Sequence, residues 1–560
     1  MKNPGRWNAL AGTVILVVWC FIFFVSKIDI ALGLVFFVLV PLLVEEVVKH
    51  KEGNRAEQWL WKVMQTSLPF AGAGAISVTL PAGVEAGWWA AIWFFYTLLL
   101  AFGGLMRLLG RGVRPMEETI IDIGLMYIAV GGGWLLIAQA GWSDYLPYSE
   151  TIVQLTAIHF HYAAFVLPLV TGFFGRYRSD GNRVRKRYMH RPYHVLAVGV
   201  IIGPILVAVG LDQGPPVEVI TVGLYVLILI WLCIWWIWMS IDLSTWAGAG
   251  LRGASLVLLG TMVLSFLYSL GLMIDAYSIT VHRMVSYHGL LNAFGFSVLA
   301  VLSWRRTGAP QRHRYTSFPV SRVRASGYIG NDAVYKNKWV ESYRSESGLI
   351  PTWRFFQSDR FDPTTIHPLV RRFYLRTDQY DMHASIRWQR GFRRLSGMSH
   401  RLTKRFGQIN LPPSSDVEMN GEIVAISDEQ DGRRHVRAWI RKNRETDEPI
   451  FTALYSFHKQ AEERYMNIGL PLPFGMMTGV LRLQKDDGDG LILSSHQRVD
   501  ARGDEGVYVT LGSWTIRTPL REWFHVQADE SGELIAKHFL SLLNIPFLTI
   551  TYHIREKAVK

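Results

Sequence analysis

The chain has 560 residues, half of them apolar or aromatic and only 18% charged, where a soluble globular chain carries about a quarter. With 21 Trp and a mean hydropathy of +0.17, this composition excludes an ordinary cytosolic enzyme and the collagen-like and disordered classes. The only cysteines, Cys20 and Cys233, lie in apolar runs, which leaves no disulfide framework and no Cys-based zinc site.

Up to Trp304 the sequence is a succession of apolar stretches, each near the roughly 20 residues a helix needs to span a bilayer. Ten are expected, at about 7–26, 29–47, 64–83, 86–106, 118–139, 152–174, 194–212, 217–239, 252–274 and 282–303. The first follows Lys2 and Arg6 as a signal peptide would, but no small-residue cleavage site ends it and a second span follows at once, so it is read as retained. Orientation follows from loop charge. With the N-terminus inside, the inner loops hold fifteen Lys and Arg, seven of them between Arg176 and Arg191, and the outer loops hold only Lys27 and Arg283. This alternation predicts an inner-membrane protein of bacterial type with both termini in the cytoplasm.

Residues 1–304 carry a net charge of +3 and the remainder +10. Arg305, Arg306, Arg312, Arg314, Arg322 and Arg324 follow the last span with no acid among them, so 305–325 reads as a basic juxtamembrane linker. Such a segment is attracted to anionic inner-leaflet lipid by about 1 kcal/mol per charge; a plain positive-inside stop explains it equally well. Nucleic acid is not an expected partner of a membrane-tethered tail.

Residues 326–560 read as a cytoplasmic, β-rich α+β domain. A basic amphipathic helix is expected near 383–406, where Ala384, Trp388, Phe392, Leu395, Leu402 and Phe406 recur at three-to-four spacing among Arg387, Arg390, Arg393 and Arg394. Such a helix packs on its own domain or lies on a membrane. From 420 the period becomes two, and strands are expected at 422–427, 435–440, 450–456, 480–483, 491–494, 507–511 and 547–553.

Ionisable residues inside spans are expensive and therefore point to function. The sixth expected span carries His159 and His161, and the tenth carries His282, His288 and Asn292. By helical rise, His159 lies about 10 Å and His288 about 9 Å below the outer edge, so two distant spans place imidazoles at one depth. His159 and His161 point about 200° apart on a helix and cannot share one ion. Imidazole suits a divalent metal or haem, with Glu150, Asp275 and Asp212 as outer-side carboxylates. Equally, such histidines serve as polar glue between helices. At the inner edge, Asp122 lies one turn deeper than Glu117 and Glu118, as part of an ion path or neutralised by Arg107 or Arg111. Gly131-Gly-Gly in the same span marks close packing or a broken helix. No P-loop, nucleotide-binding glycine fingerprint, H-E-x-x-H or G-x-S-x-G occurs.

At His159-Phe-His-Tyr-Ala and Tyr287-His-Gly-Leu-Leu-Asn-Ala-Phe-Gly-Phe the chain resembles the YndJ-like bacterial membrane proteins. The resemblance implies a multi-pass fold and supplies no mechanism. His159-Phe-His-Tyr is also similar to a helix of the haem-copper oxidases whose two histidines ligate two haems; the oxidase His-Pro-Glu-Val and His-His segments are missing, so no oxidase is implied. Three functional classes follow. The first is a metal or haem site built from His159, His161 and His288. The second is a transporter of a small solute or lipid with a regulatory tail. The third is a scaffold whose Arg305, Arg306, Arg312, Arg314, Arg390 and Arg394 meet anionic lipid or a partner.

Overall fold

In a bilayer the backbone must satisfy itself, and in the computed structural model of the chain the apolar runs are helices. The structure describes residues 3–23, 25–48, 54–179, 190–274, 276, 279–308, 318–325, 327–410, 416–497, 503–512 and 514–557. They form two compact units, a helical one through Gly308 and a second from Phe318 onward.

Nine helices among the described residues are long and apolar enough to cross a membrane. They are α1 (Pro4–Phe23), α2 (Lys27–Val48), α5 (Val84–Arg111), α6 (Met116–Gln139), α7 (Glu150–Arg178), α8 (Pro192–Gln213), α9 (Pro215–Asp242), α10 (Thr245–Met273) and α11 (Val281–Thr307). The expected span at 64–83 is different. It is built from α3 (Arg55–Gln65) and α4 (Ser67–Thr79), whose apolar part is only 13 residues long. Pro69 has no N–H to give to the carbonyl of Gln65, so the helix breaks at Thr66. The Asn8 amide donates to the carbonyls of Met64 and Gln65 at 3.1 and 3.2 Å instead.

Together α3 and α4 carry the chain from one end of the helical unit to the other. At one end Trp19 Nε1 meets Thr79 Oγ1 at 3.0 Å, and Gly83 N meets the Gln139 carbonyl at 2.8 Å. At the other, one carboxylate ties the two ends of the unit: Glu45 accepts from Gly5 N at 2.9 Å and from Arg305 Nη2 at 2.6 Å. Gly5 and Arg305 therefore lie at the same end of the helical unit.

Three of these helices widen into π-helical turns: α2 at Val35–Leu39, α7 at Tyr162–Val166, and α11 at Met284–Gly289 and Leu291–Ser297. The turns in α7 and α11 touch, and α2 contacts both turns of α11. Clustered π-turns are frequent at functional sites.

The second unit is an antiparallel barrel. Its strands are β1 (Val340–Ser345), β2 (Tyr380–Trp388), β3 (Asp416–Ile426), β4 (Arg437–Asn443), β5 (Pro449–Gln460), β6 (Glu463–Leu472) and β7 (Gly475–Lys485). They continue as β8 (Leu491–Ser494), β9 (Gly506–Leu511), β10 (Trp514–Arg517), β11 (Leu520–Ala528), β12 (Leu534–Leu542) and β13 (Ile545–Glu556). The order β7-β6-β5-β4-β3-β2-β13-β12-β11-β8 returns to β7, because β7 pairs with β9 along 475–480 and with β8 along 482–485. Ten strands thus close, with β1 beside β3 and the β9–β10 hairpin outside the ring.

Two expectations change here. Residues 380–388 are strand β2, and only Arg393–Phe406 is helix (α12). The spacing of Ala384 and Trp388 is four, which satisfies a period of two as well as a helical turn; the barrel uses the former, with Met382, Ala384, Ile386 and Trp388 inward. Residues 318–325, expected in the linker, lie against the barrel strands: Val323 and Ala325 pack with Ile426, Ala438 and Ile440, and Arg322 N donates to the Asp431 carbonyl at 2.8 Å.

Candidate functional site

The histidines of α7 divide as their spacing requires. His161 is fully buried, and both ring nitrogens are engaged: Nδ1–H donates to the Ala157 carbonyl at 2.8 Å, and Nε2 accepts from Trp93 Nε1–H at 3.1 Å. One neutral tautomer satisfies both bonds, so no lone pair remains for an ion. Gly131 makes the room, since a Cβ there would stand 2.7 Å from His161 Nδ1. The glycine run therefore serves close packing within an unbroken α6.

His159 lies within electrostatic reach of His288 on α11. His288 Nδ1–H donates to the Thr261 carbonyl at 3.0 Å, leaving Nε2 as an open acceptor. Thr261 Oγ1 donates to Asn292 Oδ1 at 2.8 Å, so His288 and Asn292 are both anchored on α10. His159 Nε2 is enclosed with no hydrogen-bond partner. A buried polar atom left unpaired costs on the order of 1–3 kcal/mol. The pair thus presents two imidazoles, one with a nitrogen that the protein does not satisfy, next to the π-turns of α7 and α11.

The other residues expected on the outer side stand apart. His282 is exposed at the start of α11, and Glu150 is exposed in the first turn of α7, accepting from Gln154 at 3.4 Å. Asp275 lies outside the described residues. Asp212 accepts from Tyr148 at 2.7 Å. Among the described residues no three His, Cys, Asp or Glu are grouped to hold a metal ion.

At the opposite end a buried polar network joins five helices. Arg107 on α5 contacts Asp122 at 2.6 Å, Glu118 at 2.7 Å and Glu57 on α3 at 3.2 Å. Arg176 on α7 clasps both oxygens of Glu118 at 2.7 and 2.8 Å and donates to the Glu46 and Val47 carbonyls at the end of α2. Asp122 is thus neutralised by Arg107. A guanidinium fork suits this role because it meets several acceptors in one plane. Arg305 also turns inward, to Glu45 and to the Leu42 carbonyl at 2.7 Å, rather than toward lipid. Arg306 and Arg390 are exposed; Arg312 and Arg314 lie outside the described residues, as does the side chain of Arg394 on α12.

Inside the barrel, strand phase brings together residues that no motif connects. Arg441, Tyr455, Glu522, His538 and Tyr552 face inward with the apolar wall of Met382, Ile386, Met419, Met466 and Leu481. Arg441 is 6% exposed and stacks on Trp439 and Phe451, with its guanidinium carbon 4.0 and 3.6 Å from the ring centroids. Tyr552 is its further aromatic neighbour, and its Nε has no acceptor. Cation–π contact contributes about 0.5–2 kcal/mol, less than the several kcal/mol that burying an ion costs. The available signal was a charge in phase with an apolar alternation: Trp439-x-Arg441, and Leu520-x-Glu522-x-Phe524-x-Val526.

His538 stacks on Phe524 at 3.7 Å with Nε2 3.4 Å from Glu522, and burial pushes its pKa below the ordinary imidazole value, outweighing the raising effect of Glu522. A histidine with a lowered folded pKa binds more protons unfolded. Stability is therefore present above about pH 6.5 and falls as pH drops through that value toward the lowered one. His538→Gln should flatten this limb in chemical denaturation followed between pH 7.5 and 5; an unchanged slope would contradict the assignment.

A bundle of helices long and apolar enough to cross a membrane, followed in the chain by a closed antiparallel barrel, defines a polytopic membrane protein with a β-barrel domain. The chain belongs to the YndJ-like family. The YndJ-like protein model matches residues 30–296. The chain is similar to the uncharacterized membrane protein YndJ of Bacillus subtilis (strain 168), with 33% identity over 501 residues that cover 89% of each chain. No solved structure matches it.

Proposed function

We propose that the helical unit is a transporter whose solute or proton route passes the His159–His288 pair, oriented with both termini in the cytoplasm. The observation that carries this reading is the enclosed, unpartnered Nε2 of His159 beside His288 and its open acceptor, at the π-turns of α7 and α11. A polar atom kept unsatisfied inside a membrane unit is a place for a passing ligand to bond. The loop-charge alternation supports the orientation. The scaffold reading leaves this atom unexplained.

The test uses the full chain in proteoliposomes, with Cys20 and Cys233 replaced and His159→Cys or His288→Cys introduced. A water-soluble, membrane-impermeant thiosulfonate should modify both at least tenfold faster than it modifies a chain that keeps Cys233 alone, which is buried. No modification at either position would overturn the route. Metal analysis and a visible spectrum on the same preparation examine the metal or haem reading, which rests on the same two nitrogens. One metal or haem per chain, lost in His288→Ala, would replace the transporter reading.

A further inference from the structure

We infer that the barrel interior binds a single-chain anionic amphiphile, its carboxylate or phosphate head on Arg441 and its apolar chain along the inward wall. This stands apart from the transporter reading and rests on the second unit alone.

The first observation is the guanidinium itself. Arg441 is buried, charged at any physiological pH and stacked on Trp439 and Phe451 with Tyr552 beside it, and its Nε meets no acceptor. Glu522, an inward carboxylate, lies 3.4 Å from His538 Nε2 rather than against the guanidinium. A planar fork with an unfilled donor fits an oxyanion.

The second is room. The barrel closes with ten strands, and Trp353, Phe356, Val370 and Phe373 fill the end away from Arg441, with Phe373 on Trp439, so the room is at the Arg441 end. Its inward wall includes Met382, Met419, Met466 and Met477, flexible side chains that repack around an alkyl chain.

The third is a mouth. Arg441 lies two residues from the end of β4, and at this end of the barrel the inward-facing Phe451, Leu470, Met477 and Leu540 are only half-buried. The hairpin tips around it are apolar and exposed: Phe474 at 73%, Leu543 at 68% and Ile545 at 57%. The basic helix α12 leaves β2 at the same end, with the Phe392 ring against Phe547 and Lys404 exposed beside Glu448. An apolar rim with cations beside it and a buried cation below suits an amphiphile that arrives from a lipid surface head last or head first, and suits a polar metabolite poorly.

The full chain in phosphatidylcholine nanodiscs is photolabelled with diazirine palmitic acid, the matching alkyl phosphate and the matching neutral alcohol. Labelled peptides are then mapped by mass spectrometry. At least one anion should label peptides of β4, β5, β11 or β13 tenfold more than the alcohol does, and preference between the two anions tells a fatty acid from a phosphate-headed lipid. Arg441→Met should bring anion labelling down to the alcohol level, and Arg441→Lys should retain most of it. Removing an unpaired buried charge should leave the unfolding midpoint of the lipid-stripped barrel unchanged or higher, whereas a purely structural arginine would lower it. Equal labelling by anion and alcohol in the native chain overturns the inference, and that comparison decides alone should Arg441→Met not fold. Labelling unchanged in a folded Arg441→Met also overturns it.

Discussion

Glu118→Gln should destabilise the helical unit by about 3–5 kcal/mol, the cost of removing one partner from a buried ion pair. Glu118 is 1% exposed and is the one carboxylate that joins Arg107 to Arg176. The amide has the same shape but loses the charge and presents N–H groups to one of the guanidinium forks. Both arginines stay buried: Arg107 keeps Asp122 and Glu57, whereas Arg176 is left on the Glu46 and Val47 carbonyls. Thermal unfolding in a fixed detergent, read by intrinsic Trp fluorescence, is the measurement. A loss near that of an exposed pair, under about 1 kcal/mol, would mean water reaches the network. The damage should be confined to the helical unit.

Asp431→Ala should cost the barrel unit a similar 3–5 kcal/mol. Asp431 is fully buried, accepts from Arg433 Nε at 2.5 Å and Nη2 at 3.0 Å, and accepts from Ser321 Oγ at 2.6 Å. The variant strands Arg433, 5% exposed, with Ser456 as its remaining partner. It also releases the 318–325 segment, whose Ser321 is held by this carboxylate. Asp431→Leu combined with Arg433→Met should recover much of the loss, since an apolar pair needs no solvation. Denaturant unfolding of the two variants separates the cases: equal losses in single and double variants would show that packing, not the stranded charge, governs the site.

How far the sequence led depended on which physical signal each feature carries. The long helices were legible because twenty apolar residues have few other uses, and the strands at 450–456 and 547–553 because alternation repeats within one segment. Strand β2 was not, because Ala384 and Trp388 are in phase with both periods. The split at Thr66 is written in Pro69, yet a hydropathy pattern averages over a missing N–H. Closure of ten strands is a long-range fact: β7 meets β8 and β9 along one edge, and no local residue encodes that. For the sites, the 200° separation of His159 and His161 was legible and the structure sends them to different neighbours, His161 to Trp93 and His159 toward His288. That Arg176 joins Asp122's neighbours required the third dimension, as did bringing Arg441, His538 and Glu522 from three strands into one interior.

The measurement closest to the central proposal is the sidedness of modification at position 159. In His159→Cys proteoliposomes of known orientation, the impermeant thiosulfonate is added from one side at a time. A transporter predicts that the residue is reached from both sides, at rates that change in opposite directions when a pH gradient is imposed. Modification from neither side, with the barrel and helical unit both folded, would contradict the account and leave the His159–His288 pair as packing between α7 and α11.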